Sequence, residues 1–155
     1  MANEKTFTAG ASDDNYFESF DVDGNGLFWV GDVAGTENIN GALRFENVTC
    51  NKSIQEAQLY IYVGAKDGTG NLSLRIYGID EDNTTAFTSS DNPFSRPKTT
   101  AYYDWSLSTP SAGVYINKNI TTVVQEILDR EVVIIIIGLL IVPILHLLHL
   151  LILRW

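Results

Sequence analysis

Histidine, cysteine and positive charge are all scarce in this chain. The two histidines, His146 and His149, both lie near the C-terminus of the 155 residues, so residues 1–130 contain none. A single cysteine, Cys50, excludes an intrachain disulfide, and no Cys/His set with zinc spacing can be drawn. Lys+Arg number 10 against 19 Asp+Glu, a net charge of -9 that repels phosphate backbones and anionic lipid. Nucleic acid is therefore not an expected partner. With no histidine, no Gly-rich phosphate loop and no nucleophile in a recognisable setting, residues 1–130 carry no enzyme signature. Met1 to Thr6 lacks an apolar h-region, so no Sec-type signal peptide is expected.

What is present is polar, rich in Asn, Thr, Gly and Tyr, and patterned with period two. Between Ile54 and Val63, residues Ala57, Leu59, Ile61 and Val63 share one face, while Glu56, Gln58, Tyr60 and Tyr62 share the other. From Leu72 to Ile79 the alternation repeats, with Leu72, Leu74 and Ile76 inward and Ser73, Arg75 and Tyr77 outward. The Gly/Asp-rich stretch 64–70 between them predicts a hairpin. Shorter strands are expected at Leu27 to Val30, Ala42 to Phe45, Thr84 to Phe87, Thr99 to Trp105 and Val114 to Ile116, punctuated by Gly, Asn and the prolines Pro93 and Pro97. Residues 1–25 read as an irregular leading segment. Trp29 and Trp105 are expected in the core, and alternation points Arg44 outward.

One helix is expected. Asn119 suits an N-cap, and Ile120, Val123, Val124, Ile127 and Leu128 form an apolar stripe at helical spacing with Gln125, Glu126 and Asp129 outside it. The fold class that follows is all-β: an antiparallel β-sandwich over residues 26–130, closed at one end by a short helix near 120–129.

The order of Gly41 to Val48, Ile54 to Val63, Ile76 to Asn83, Thr99 to Trp105 and Ile120 to Arg130 resembles the jelly-roll modules of bacterial extracellular and phage structural proteins, which are similar in fold to carbohydrate-binding domains. The resemblance implies display and attachment, and brings no catalytic residue set. In that family the helix ending in Gln-Glu-Ile and an Arg is followed by a Gly/Trp segment, a Ser-Gly-Asn triplet and a closing core strand. Here Arg130 is followed by Glu131 and an aliphatic run.

That run, Val132 to Leu153, is uncharged and long enough to cross a bilayer as a helix. Two readings of residues 131–155 follow. One is a C-terminal membrane anchor with Trp155 at an interface, Pro143 as a kink, and His146 and His149 as polar members of a Leu/His repeat. The other is a frame-shifted end: joining the last base of each codon to the first two of the next permits Ser, Gly and Asn across Glu131 to Ile134, the triplet the family shows there.

Three candidate sites stand out. Asp21, Asp23 and Asn25 alternate before Gly26, and Asp32 takes the twelfth place, as in the loop of an EF-hand, so calcium is the natural ion; an Asp/Asn/Gly turn explains the same residues. Asp80-Glu81-Asp82-Asn83 is a second acidic cluster, read either as an ion site or as a solvated loop. Tyr60, Tyr62 and Tyr77 with Arg75 offer flat rings beside hydrogen-bonding groups, which is what a sugar ring needs. Tyrosine also fits any half-exposed strand.

The expected function is a non-enzymatic structural or attachment module on a virion or extracellular surface. Its partners would be other structural proteins, surface glycans or further copies of itself, with a membrane only if the tail is an anchor. A tail-anchored membrane protein carrying the same domain is the alternative, and a hydrolase with an acidic site is remote.

Overall fold

A computed structural model of the chain describes residues 4–9, 15–17, 21–22, 31–33, 37–45, 48, 53–64, 71–82, 85–88, 90, 92–108, 111–130, 134–141 and 149–154. These form twelve strands and one α-helix: β1 (Glu4–Ala9), β2 (Asn15–Phe17), β3 (Asp21–Val22), β4 (Gly31–Val33), β5 (Glu37–Ile39), β6 (Gly41–Phe45), β7 (Glu56–Val63), β8 (Leu72–Ile79), β9 (Lys98–Leu107), β10 (Val114–Asn119), α1 (Thr121–Leu128), β11 (Ile134–Ile141) and β12 (His149–Arg154). All pairings are antiparallel. One sheet runs β1-β12-β7-β10, a second β3-β2-β6-β11-β8-β9, and β4 and β5 pair by themselves.

The alternation in β7 is realised: Ala57, Leu59, Ile61 and Val63 are buried, while Glu56, Gln58, Tyr60 and Tyr62 are half-buried. In β8, Leu74 and Ile76 are buried and Arg75 and Tyr77 are half-buried. The expected hairpin between them does not form. β7 lies in the four-stranded sheet and β8 in the six-stranded one, so the chain passes from one sheet to the other across 64–71. Buried residues of both sheets, including Leu43, Phe45, Leu59, Ile61, Leu74, Ile76 and Trp105, join Val123, Val124, Ile127 and Leu128 of α1 in one hydrophobic cluster.

Four further differences have physical causes. Residues 4–22, expected to be irregular, contribute β1, β2 and β3. The aliphatic run, in which a membrane helix was one expectation, supplies β11 between β6 and β8 and β12 between β1 and β7; among the described residues no helix is long and apolar enough to cross a membrane. Arg44, expected outward, is buried because the second face of β6 is covered too. Phe87, expected in a strand, lies in a loop and packs with Ala42, Ile79 and Phe94 in a small satellite core. Leu27 to Val30, with Trp29, lies outside the described residues.

Helix α1 ties the two sheets together. Eight residues are too few for a helix to persist unaided, so packing holds it. Each of its four buried side chains contributes about 1.5–3 kcal/mol before entropy is subtracted. Its polar side chains add specific bonds. The Ile54 N–H donates to Gln125 Oε1 (2.8 Å) and the Ala57 N–H to Thr121 Oγ1 (2.9 Å), fixing the start of β7. On the other sheet, the backbone N–H groups of Thr100 and Ala101 in β9 both donate to the Glu126 carboxylate (2.8 Å each). Asn119 serves the helix start one residue earlier than expected: Ile120 holds the N-cap position, and Asn119 Oδ1 accepts from the Thr121 N–H at 3.0 Å.

Below the helix, Gly78 interrupts the β8–β9 register, and its N–H donates to the buried Thr99 Oγ1 (2.9 Å). A Cβ at Gly78 would overlap Ile127 Cδ1 and lie 2.9 Å from its Cγ1. The helix therefore sits directly on this backbone. Gly78→Ala is expected to cost about 1–3 kcal/mol in chemical denaturation, and pairing it with Ile127→Val should recover part of that loss. A Gly78→Ala protein as stable as wild type would refute the close approach.

Burial pushes the Glu126 carboxyl up, but the bonds from Ala101 and Thr100 outweigh it and hold the group below the ordinary carboxylate range. A depressed folded value means stability that is present at neutral pH and lost as pH falls through that value. Thermal melts should show wild type above Glu126→Ala at pH 7, with the gap narrowing as the pH falls below the ordinary glutamate range.

Candidate functional site

Residues directly opposed across an antiparallel pair share a face, so the ladders assign the outward side chains. On the four-stranded sheet, Tyr62 is opposite Tyr115, Tyr60 opposite Asn117 and Gln58 opposite Asn119. The Tyr62 and Tyr115 rings lie 5.1 Å apart at 56°, a tilted pair suited to rings of this quadrupole. Tyr115 is 56 % exposed. A hydrogen-bonded chain crosses three strands beside them: Arg154 Nη1 donates to Glu56 Oε2 (2.9 Å), Gln58 Nε2 to Glu56 Oε1 (2.9 Å), and Asn117 Nδ2 to Gln58 Oε1 (3.3 Å). These bonds hold the amides in place and leave further donors and acceptors on the same groups.

The outer face of the six-stranded sheet differs in kind. Arg75 of β8 is opposite Asp104 of β9, and Tyr77 opposite Tyr102. The guanidinium donates twice to the carboxylate, Nε to Oδ1 at 2.6 Å and Nη2 to Oδ2 at 2.8 Å, in a forked geometry. It also lies 4.3 Å above the Tyr102 ring, and Tyr102 meets Tyr77 at 5.7 Å. The bond to Arg75 holds the Asp104 carboxyl below its ordinary range, and the bond to Asp104 raises the Arg75 guanidinium.

The four residues singled out for glycan contact are thus divided. Tyr60 and Tyr62 belong to one sheet, Arg75 and Tyr77 to the other, because β7 and β8 are not neighbours. Their true companions are Tyr115 and Asn117 on the first face, and Tyr102 and Asp104 on the second. Alternation within Thr99 to Trp105 places Tyr102 and Asp104 on one face, a signal already present in the sequence. Nothing local in the sequence announces that β10 lies beside β7.

Of the four residues expected to hold calcium, the structure describes two. Asp21 is in β3 of the six-stranded sheet, Asp32 is in the separate β4–β5 pair, and Asp23 and Asn25 lie outside the described residues. In the second acidic cluster, Arg130 Nε approaches Asp80 Oδ1 at 2.8 Å, a contact of charge with charge outside hydrogen-bond geometry, and Arg96 Nη1 donates to Glu81 Oε2 at 3.4 Å. Those two carboxylates have arginines as partners. Asp82 is exposed, and Asn83 lies outside the described residues. Among the described residues, no three His, Cys, Asp or Glu side chains come together to hold a metal ion. A scan against family models finds no match, and a search of the curated proteins finds none either.

An exposed ion pair adds little to stability. Arg75→Ala is therefore expected to leave the melting temperature almost unchanged. Its effect should appear in a carboxyl NMR titration, where the Asp104 midpoint rises toward the ordinary carboxylate value; a midpoint that stays put would mean the fork is absent in solution.

Proposed function

We propose that the chain is a non-enzymatic β-sandwich of jelly-roll type, an attachment module displayed on a virion or cell surface, that holds saccharide on the outer face of its four-stranded sheet. The carrying observation is the Tyr62–Tyr115 pair beside the Arg154–Glu56–Gln58–Asn117 chain. A pyranose presents an apolar face, which stacks on a ring, and a rim of hydroxyls, which pair with amides and carboxylates. The strands supply both, on a flat surface fixed by ladder hydrogen bonds.

The sandwich reading draws on the two antiparallel sheets and their shared hydrophobic cluster. It also draws on the likeness of the Gly41 to Arg130 pattern to display modules. The six-stranded face suits a sugar less well, since Arg75 and Asp104 already satisfy one another.

On a glycan array, wild type is expected to bind a restricted set of saccharides. Tyr62→Ala and Tyr115→Ala should each weaken that binding by roughly 10-fold, the scale of one lost stacking contact. Arg75→Ala should leave it unchanged. Binding that survives both tyrosine substitutions would remove the face from consideration.

A further inference from the structure

The amide side chains on the outer face of the four-stranded sheet have fixed polarity, set from both ends of the hydrogen-bonded chain. Glu56 is a carboxylate, which only accepts. Its Oε2 takes Arg154 Nη1, and its Oε1 takes Gln58, so the Gln58 atom facing it is Nε2 (2.9 Å each). Gln58 Oε1 is thereby turned toward Asn117, and the Asn117 atom that meets it at 3.3 Å is Nδ2. Asn117 is left with Oδ1, an acceptor.

At Asn119 the polarity is reversed. The Thr121 N–H can only donate, so the Asn119 atom it meets at 3.0 Å is Oδ1, which also takes the Thr121 hydroxyl at 2.7 Å. That hydroxyl in turn accepts from the Ala57 N–H at 2.9 Å, so its own proton is directed to Asn119. Asn119 is left with Nδ2, a donor. Both asparagines are exposed, and Gln58, opposite Asn119, keeps one further Nε2 hydrogen.

Asn117 and Asn119 are two residues apart on one face of β10, a spacing of about 7 Å along the strand. The polar substituents of sugars meet such a pair differently. A hydroxyl both donates and accepts, so it fits either end and fixed polarity does not select it. A carboxylate only accepts and an ammonium only donates, and each leaves one end unmet. A trans secondary amide donates at one pole and accepts at the other, and its two partners lie about 7–8 Å apart.

We infer that the saccharide carries an acetamido group, held along β10 with its N–H on Asn117 Oδ1 and its C=O on Asn119 Nδ2. This rests on the saccharide reading of the face and adds the class of sugar: an N-acetylhexosamine, in place of a plain hexose, a uronic acid or a free amino sugar. The group is neutral, and a net charge of -9 disfavours a uronic acid further. Tyr60, opposite Asn117, and the Tyr62–Tyr115 pair in the next row lie on the same face and supply rings for the sugar and the acetamido methyl. Glu56 is a positioning residue that acts through Gln58, because its charge decides which end of Asn117 is displayed.

The test is a glycan array on which each N-acetylhexosamine ligand is paired with the hexose ligand of the same linkage, probed with the full chain. Binding to the acetamido member is expected to exceed binding to its partner by about 10-fold or more, the scale of two hydrogen bonds. Asn119→Asp keeps the shape and the oxygen that serves the start of α1 but exchanges the N–H donors for an acceptor. In that variant the preference should fall to near one while the melting temperature does not fall. Glu56→Ala lets Gln58 and Asn117 turn over, so the preference should drop with binding to the hexose member retained. Equal wild-type binding to both members of the pairs, lost in Tyr62→Ala, would overturn the acetamido inference and leave the saccharide reading standing. A preference that survives Asn119→Asp would overturn it too, and binding to no glycan at all would overturn both.

Discussion

The fold depends on one short helix that serves two sheets. Ile120 to Leu128 places five aliphatic side chains in the cluster shared by both sheets and takes backbone donors from the start of β7 on one side and from β9 on the other. A backbone N–H left buried without a ladder partner costs about 1–3 kcal/mol. Gln125, Thr121 and Glu126 supply acceptors for the N–H groups of Ile54, Ala57, Thr100 and Ala101. The spacing of these residues follows from the helix: positions 121 and 125 are one turn apart and reach β7, while 126 emerges about 100° further round and reaches β9. Gly78 belongs to the same constraint. Only a residue without a Cβ lets Ile127 rest on the β8 backbone.

How far the sequence discloses this differs from element to element. Faces of β7 and β8 and the stripe of α1 are legible because one side of each meets the core and the other does not, which is the condition under which periodicity carries information. Adjacency is another matter. Alternation says which side of a strand is buried but not which strand lies beside it, so β7 and β8 look like a hairpin although they belong to different sheets. The same gap divides the tyrosine site: Tyr60 and Tyr62 are visible as a face, whereas Tyr115 joins them only through a pairing made between residues 58–63 and 114–119.

The aliphatic end is the opposite case, a segment whose composition hides its structure. A strand buried in the middle of a sheet reads as an unbroken apolar run, and so does a membrane helix. β11 lies between β6 and β8, and β12 between β1 and β7. Each therefore has ladder partners on both sides, and withdrawing this end would open both sheets down the middle. After the helix the chain supplies these strands in a composition unlike that of residues 1–130. Arg44 and Phe87 misled for a related reason. Alternation assumes one dry face, and the loop carrying Phe87 and Phe94 dries the second face beside Ala42 and Ile79.

The distribution of charge bears on what either face can hold. The chain is strongly acidic, yet four of its arginines pair with carboxylates: Arg75 with Asp104, Arg96 with Glu81, Arg130 with Asp80 and Arg154 with Glu56. Such pairs add little stability where they are exposed, but they neutralise charge locally and fix the side chains that carry it. On the four-stranded face the Glu56 carboxylate is matched by Arg154, and phenol and amide groups of β7 and β10 stand beside the half-buried Ile152. A surface of that kind has no monopole with which to draw in a charged ligand. It selects instead by ring stacking and by the placement of donors and acceptors, the terms on which a neutral, hydroxyl-rich molecule is distinguished from water.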